Sequence, residues 1–191
     1  MKPPSPKRHA AEAGHIGGAS AEDIVYSPEK YRETEGREDN HANAILTLGF
    51  RDGEIYILDE IYEREKDTEE LIRIAGKREL SKRAVMYCDS AEPDRIQTWR
   101  RAGYHALPVK KEPGSVLAQI DYLKGRRIYI HPDCQNTICE LEQWRWQKDE
   151  LTGEYLDWPA EGMDDAMAAL RYGVEGVRKS RRVRALAGLR Y

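Results

Sequence analysis

The stretch Ala84-Val85-Met86-Tyr87-Cys88-Asp89 reads as a short buried strand that runs directly into a carboxylate. Residues Glu92 to Ala102 then predict a helix, and His105 to Val109 predict another strand. Strands that alternate with helices are typical of α/β folds, in which chemistry collects at the carboxyl ends of strands. Asp89 is therefore the first candidate for a functional residue.

The segments on either side extend this pattern. A β-hairpin is predicted because Asp52-Gly53 supplies the positive φ of a tight turn. The other predicted elements are a first strand at Asp23 to Tyr26, hairpin strands at Ala44 to Phe50 and Glu54 to Leu58, a helix at Thr68 to Lys77 capped by Asp67 or Thr68, a helix at Ser115 to Leu123 with Ser115 as N-cap, a strand at Arg127 to Ile130, and helices at Gln135 to Gln147 and Gly162 to Val177 joined by a loop around Leu151-Thr152-Gly153. Together they predict an α/β fold with a mixed sheet and helices on both faces.

Length and composition favour one globular domain. The chain has 191 residues, 31 Lys+Arg against 34 Asp+Glu, and 40% hydrophobic residues. No apolar run approaches the ~20 residues of a membrane helix, and no signal peptide opens the chain. The three cysteines Cys88, Cys134 and Cys139 have no zinc-finger spacing, and their odd number argues against a disulfide scaffold. We therefore expect a cytoplasmic protein without a membrane span.

Composition divides the chain into three parts. Residues 1–22 are rich in Pro, Gly, Ala and Ser, which predicts a flexible leader. Residues 23–177 hold the predicted domain, and residues 178–191 form a basic tail. The last sixteen residues contain six Lys or Arg and no acid. Such a tail suits contacts with phosphate, and a solvated chain end is the alternative.

Two groups of carboxylates could carry chemistry. Asp164 and Asp165 are adjacent at the start of the last predicted helix, and Asp89 follows its strand. Converging carboxylates can hold Mg²⁺ or Mn²⁺, and two such ions activate water and stabilise the leaving oxygen in phosphodiester cleavage. The alternatives are structural: Asp89 caps the helix that begins near Glu92, and the Asp pair complements a helix dipole.

Basic and aromatic residues give weaker signals. Lys110-Lys111 precedes Gly114-Ser115, which places positive charge beside a helix N-terminus, where a phosphate can bind. An ordinary charged loop is the alternative. Trp144, Trp146 and Trp158 could stack on bases, although packing is the more common role of such residues. The sequence has no Gly-x-x-x-x-Gly-Lys-Ser/Thr loop, no Gly-x-Ser-x-Gly elbow and no histidine pair at ligand spacing.

A resemblance rests on motifs in a fixed order. They are Ile55-Tyr56-Ile57-Leu58-Asp59-Glu60-Ile61-Tyr62, Tyr87-Cys88-Asp89-Ser90-Ala91-Glu92-Pro93, Lys110-Lys111-Glu112-Pro113-Gly114-Ser115-Val116, Trp144-Arg145-Trp146, and Asp164-Asp165 followed by Ala169-Leu170-Arg171-Tyr172. With this order and spacing, the chain from about Ala42 to Glu175 resembles the C-terminal nuclease domain of bacteriophage terminase large subunits, the DNA-packaging motors.

The resemblance implies an RNase H-like fold that cuts double-stranded DNA with two Mg²⁺ or Mn²⁺ ions. The family's acidic cluster draws one Asp from the first strand, one from the strand end matched by Asp89, and one from the final helix, for which Asp165 and Asp164 are candidates. The implied partners are double-stranded DNA, a separate terminase ATPase, the small terminase subunit and the portal, in the host cytoplasm. The candidate DNA contacts are Lys110, Lys111, Ser115, Arg178, Lys179, Arg181 and Arg182.

The sequence departs from the family pattern at two points. The first strand usually reads Gly-x-Asp-x-Gly, whereas residues 24–30 contain no Asp, and Glu29 or Asp39 would have to substitute. In the last helix, Ala168 stands where the family commonly has an Asp, with Asp165 one turn earlier. The leading hypothesis is a metal-dependent DNA endonuclease domain without its motor. The alternatives are a catalytically impaired DNA-binding or packaging-accessory module and another RNase H-like nuclease such as a junction resolvase.

Overall fold

A computed structural model describes residues 24–28, 42–160 and 164–187. Eight strands and five helices follow one another along these residues. They are β1 (Ile24–Pro28), β2 (Asn43–Arg51), β3 (Glu54–Glu63), α1 (Thr68–Lys77), β4 (Val85–Cys88), α2 (Pro93–Arg101), β5 (His105–Pro108), α3 (Ser115–Lys124), β6 (Ile128–Ile130), α4 (Gln135–Gln143), β7 (Trp146–Lys148), β8 (Tyr155–Pro159) and α5 (Asp165–Ala187). The predicted leader, residues 1–22, lies outside the described residues.

The main sheet has six strands in the order β5-β4-β1-β2-β3-β6. Strands β1, β2 and β3 form an antiparallel meander, while β4 pairs parallel to β1, β5 parallel to β4, and β6 parallel to β3. The parallel register of β1 and β4 aligns Tyr26 with Met86. The carboxyl ends of both strands therefore lie on the same side of the sheet, where Asp89 follows β4.

Side chains alternate between two cores because successive residues of a strand point to opposite faces. Leu46 and Leu48 of β2 pack with Met167 and Leu170 of α5 on one face. Ile45 of the same strand belongs to the core that α1 and α2 cover on the other face. The prediction of a mixed sheet with helices on both faces is confirmed.

Local sequence signals placed most elements correctly. The turn between β2 and β3 is Asp52-Gly53, and both residues have positive φ, at 51° and 82°. Asp67 caps α1, because its side chain accepts a hydrogen bond from the Glu70 amide while the Glu70 side chain accepts one from the Asp67 amide. Ser115, in contrast, is not an N-cap: Gly114 holds that position with φ +74°, a left-handed conformation that glycine adopts readily.

The predicted helix over Gln135 to Gln147 is wrong at its end. Helix α4 stops at Gln143, Trp144 is extended, and residues Trp146–Lys148 form β7. This strand pairs antiparallel with β8, which aligns Lys148 with Tyr155 around the turn predicted as a loop. Pairing between strands supplies the backbone hydrogen bonds that the helix would have made, and helical periodicity does not register such a partner.

The last helix is longer than predicted. It begins at Asp165 and runs to Ala187, which takes it past the predicted end at Val177 and into the basic tail. The predicted start at Gly162 lies outside the described residues. Within the described part of the chain, no helix is both long enough and apolar enough to cross a bilayer.

Candidate functional site

Asp89 lies at the carboxyl end of β4 and is only 7% exposed. The Lys111 ammonium is 2.8 Å from Oδ2 and 2.8 Å from Oδ1, so it bridges both oxygens. The Tyr172 hydroxyl donates to Oδ2 at 3.1 Å, and the Ala91 amide donates to Oδ1 at 2.8 Å. Three elements therefore converge on one carboxylate: the end of β4, the loop after β5, and α5.

The environment keeps Asp89 ionised. Burial opposes the charged form, but the hydrogen bonds from Lys111, the Ala91 amide and Tyr172 outweigh it and lower the pKa of this carboxyl below its ordinary value. The alternative of a helix cap is wrong, because the N-cap of α2 is Glu92 and the Asp89 side chain binds the Ala91 amide instead. Asp89 is thus a buried anion with a cationic partner at the carboxyl end of a strand inside the sheet.

The loop that carries Lys111 is fixed at both ends. The Val109 amide donates to the Cys88 carbonyl at 2.8 Å, which extends the pairing of β4 and β5 by one residue. On the other side of Lys111, the Glu112 carboxylate forms an ion pair with Lys179 of α5 at 3.3 Å. These two anchors hold the loop against the carboxyl end of β4.

Asp165 begins α5 and is 3% exposed. Its Oδ2 accepts a hydrogen bond from the Ala42 amide at 2.7 Å, and the Tyr62 hydroxyl lies 3.5 Å from the same atom. Asp164 precedes the helix, and its backbone carbonyl accepts from the Ala168 amide at 2.8 Å. The acidic pair therefore starts the helix, as predicted, and Asp165 points into the protein.

A second buried carboxylate, Glu140 of α4, lies beside Asp165. Its oxygens accept hydrogen bonds from the Tyr62 hydroxyl at 2.8 Å and from the Met167 amide at 3.1 Å. Burial, reinforced by the charge of Asp165, raises the pKa of Glu140 to about 7, although the hydrogen bonds act in the opposite direction. Sequence reasoning missed Glu140, because nothing in its local pattern distinguishes it from a solvated helix residue.

The surroundings of Asp89 and of Asp165 are connected by residues on one face of α5. Asp165, Ala168 and Tyr172 follow each other at intervals of three and four residues, so they share one face of the helix. The hydroxyl of Tyr172 reaches Asp89, and the buried Ala168 stands between it and Asp165. This spacing was the sequence signal that could have identified Tyr172 as a partner of the site.

No group of three His, Cys, Asp or Glu side chains comes together as a metal site within residues 24–28, 42–160 and 164–187. Glu29 and Asp39 lie outside these ranges. Asp89 alone offers the ionised carboxylate oxygens that such cations prefer, and both oxygens contact the Lys111 ammonium.

The predicted DNA contacts lie in three places along the chain. Lys110 is exposed beside Lys111, and Ser115 begins α3. Arg178 and Lys179 form ion pairs with the buried Glu175, at 2.8 and 3.0 Å. The hydrogen bond with Glu175 raises the pKa of Lys179. Arg181 and Arg182 continue α5, and their side chains lie outside the described part.

The comparisons with known proteins agree with this architecture. A family model described as the terminase RNAseH-like domain matches residues 37–175, which is most of the chain. The chain belongs to the terminase RNase H-like domain family. The family predicted from the ordered motifs is confirmed, and the match includes both Asp89 and the start of α5.

A curated relative within the terminase group is the PBSX phage terminase large subunit of Bacillus subtilis (strain 168). It is 34% identical over 101 residues, which are 50% of this chain and 22% of that protein. The chain therefore spans about a fifth of the length of this large subunit.

Solved terminase structures share the fold. The g2p large terminase nuclease domain of bacteriophage SPP1, with bound Mn, has a TM-score of 0.73 at 20% identity and covers 87% of this chain and 94% of that domain. The P22 large terminase nuclease domain gives 0.60 at 14% identity, over 81% of this chain and 81% of that one. The large terminase nuclease of thermophilic phage G20c, with bound magnesium, gives 0.53 at 15% identity, over 80% of this chain and 81% of that one. The RNase H-like fold predicted from the resemblance is confirmed.

Proposed function

We propose that this chain is the nuclease domain of a phage DNA-packaging terminase large subunit and that it cuts double-stranded DNA with divalent metal ions. The observation that carries the proposal is Asp89, a buried and ionised carboxylate at the carboxyl end of a central strand in a terminase-family fold. The family's SPP1 and G20c domains have been crystallised with manganese and magnesium. Both ions prefer oxygen ligands such as this carboxylate.

Asp89 would hold the metal together with further carboxylates. Asp165 and Asp164 are the candidates from α5, as the sequence suggested. Glu29 is the candidate that the sequence offered from the first strand, and it lies outside the described residues. Mg²⁺ or Mn²⁺ would supply the charge that activates water and stabilises the leaving oxygen.

The chain's own residues orient and charge the site. Tyr172 and the Ala91 amide donate to Asp89 and hold its carboxylate in one orientation. Lys110 and the basic end of α5 would contact DNA phosphates and position the duplex, with salt-sensitive and weakly sequence-dependent binding. We propose that a separate ATPase, the small terminase subunit and the portal complete the packaging machine.

Nicking of supercoiled plasmid in Mn²⁺ or Mg²⁺ tests the proposal. Asp89→Ala should lower cleavage roughly a hundredfold or more, because several kcal/mol of transition-state stabilisation depend on the metal. DNA binding should remain, and a chelator should abolish cutting by the unaltered protein. The matched control is Asp133→Ala, which removes one exposed carboxylate that is distant from Asp89 in the sequence. Equal cleavage by Asp89→Ala and Asp133→Ala would sink the assignment.

A catalytically impaired DNA-binding or packaging-accessory module is the second candidate. It is favoured by Ala168, a methyl group at the position where the family commonly has a carboxylate, and by the lack of a three-residue metal group among the described residues. This candidate predicts saturable DNA binding without metal-dependent cutting. Chelator-sensitive nicking that Asp89→Ala removes would eliminate it.

A further inference from the structure

The Lys111 ammonium occupies the position that a cation bound to both oxygens of Asp89 would take. It lies 2.8 Å from each carboxylate oxygen and 5.4 Å from the centre of the Tyr172 ring. An ammonium at these distances makes charge-assisted hydrogen bonds, which are roughly twice as strong as neutral ones. A divalent ion on the same two oxygens and this ammonium exclude each other, since both are positive and need the same space.

The loop that carries Lys111 is anchored, whereas the Lys111 side chain can move away from the carboxylate. The backbone on one side is fixed by the hydrogen bond from the Val109 amide to the Cys88 carbonyl, and on the other by the ion pair of Glu112 with Lys179. The Lys111 side chain is nevertheless 45% exposed. A long side chain with this exposure can swing its ammonium into solvent while the loop backbone stays in place.

The neighbouring Lys110 provides an internal comparison. It is exposed, it has the same charge, and it lies one residue away in the chain, while the contacts with Asp89 and the Tyr172 ring belong to Lys111. The two lysines repel a metal ion at long range to a similar extent, because both carry one positive charge. Only Lys111 competes for the carboxylate oxygens.

We propose that Lys111 is the built-in counter-ion of Asp89 and that a divalent cation binds this site only by displacing it. Lys111 therefore sets the affinity of the site for metal. At low metal concentration its ammonium pairs with the ionised Asp89, and it leaves the carboxylate when the cation binds. This inference rests on the proposed function in one respect, since it takes Asp89 as a metal ligand. It also assigns to Lys111 a role other than the phosphate contact that the sequence suggested.

Calorimetric titration of the full chain with Mn²⁺ in the absence of DNA tests the inference. Lys111→Met should bind Mn²⁺ about two- to fivefold more tightly than the unaltered protein, which is the range that a partly exposed ion pair contributes. Lys111→Gln should show the same gain. Lys110→Met, which removes an equal charge without freeing the Asp89 oxygens, should give a clearly smaller gain, and adding Asp89→Asn to Lys111→Met should remove the gained affinity.

Three results would overturn the inference: equal affinity in Lys111→Met and Lys110→Met, no Mn²⁺ binding by Lys111→Met, or a gain that survives Asp89→Asn. Plasmid nicking by the same variants tests the proposed endonuclease activity separately from the role of Lys111. Tighter binding by Lys111→Met without nicking by any variant upholds the inference and refutes the endonuclease. Nicking that depends on Asp89, with no gain in Lys111→Met, does the reverse.

Discussion

Glu60 shows how a single buried carboxylate is stabilised without a cation. Its Oε1 accepts hydrogen bonds from the amide and side chain of Asn136, both at 2.9 Å, and its Oε2 accepts from the amide and hydroxyl of Thr137, at 2.9 and 2.6 Å. These donors lie in the first turn of α4, whose positive dipole end favours an anion. Asp89 differs at the residue scale because its main partner is the ammonium of Lys111, which another cation can replace.

Glu60→Ala should lower the free energy of unfolding by about 2–3 kcal/mol, because it leaves the buried amide and hydroxyl of Thr137 in the first turn of α4 without an acceptor. Urea denaturation measures the change. The control is Asp67→Ala, which removes the exposed cap of α1 and should cost about 1 kcal/mol. A smaller loss for Glu60→Ala than for Asp67→Ala would contradict the capping of α4 from β3.

At the scale of elements, the close approach of α5 to β4 depends on Gly176. A Cβ at this position would overlap the Tyr87 ring, so either the ring or the helix would have to move. The same helix carries Tyr172, which donates to Asp89. Gly176 therefore allows the close packing on Tyr87 of the helix that also carries Tyr172.

Gly176→Ala should destabilise the protein by about 1–3 kcal/mol, since the added methyl group forces the Tyr87 ring or the helix to move. Gly76→Ala is the matched control in α1, where a Cβ meets nothing within 4 Å. That variant should stabilise the protein by about 0.5–1 kcal/mol through its better helix propensity. Thermal unfolding of the pair gives the comparison, and shifts of the same sign would show that α5 is not packed as described.

At the scale of the whole molecule, the basic residues near the end of the chain are not equivalent. Arg178 and Lys179 share the carboxylate of Glu175, which is 1% exposed, and Lys179 also forms an ion pair with Glu112. The pairs with Glu175 lie within α5, and the pair of Lys179 with Glu112 joins the helix to the loop beside Asp89. Arg181 and Arg182 remain the proposed phosphate contacts of the helix.

Salt dependence of DNA binding distinguishes these pairs of residues. Replacing Arg181 and Arg182 together with Ala should reduce the slope of log affinity against log salt by about 2, because each phosphate contact contributes about 0.9. Replacing Arg178 and Lys179 removes the same charge but should leave the slope nearly unchanged, with the loss appearing in stability instead. Fluorescence anisotropy with a short duplex over a salt series measures both. Equal slopes for the two double variants would contradict this division.

The sequence alone determined the features that depend on neighbours along the chain. The Asp-Gly turn, the capped start of α1 and the strand ending at Asp89 follow from φ preferences, capping and apolar runs. The ordered motifs also identified the family and its RNase H-like fold. The predicted end of α4 at Gln147 was wrong, because residues Trp146–Lys148 pair with β8, and helical periodicity does not reveal such a strand partner.

Only the tertiary structure decided which side chains meet at the site. Lys111 is 22 residues from Asp89 in sequence, Tyr172 is 83 residues away, and Ala42 lies 123 residues from Asp165. Local propensity carries no information about such distances, because these contacts form only when the sheet order brings α5 and the loop after β5 to the carboxyl end of β4. The sequence thus identified Asp89 and Asp165 as candidate carboxylates, and the fold determined that Asp89 has Lys111 as its partner.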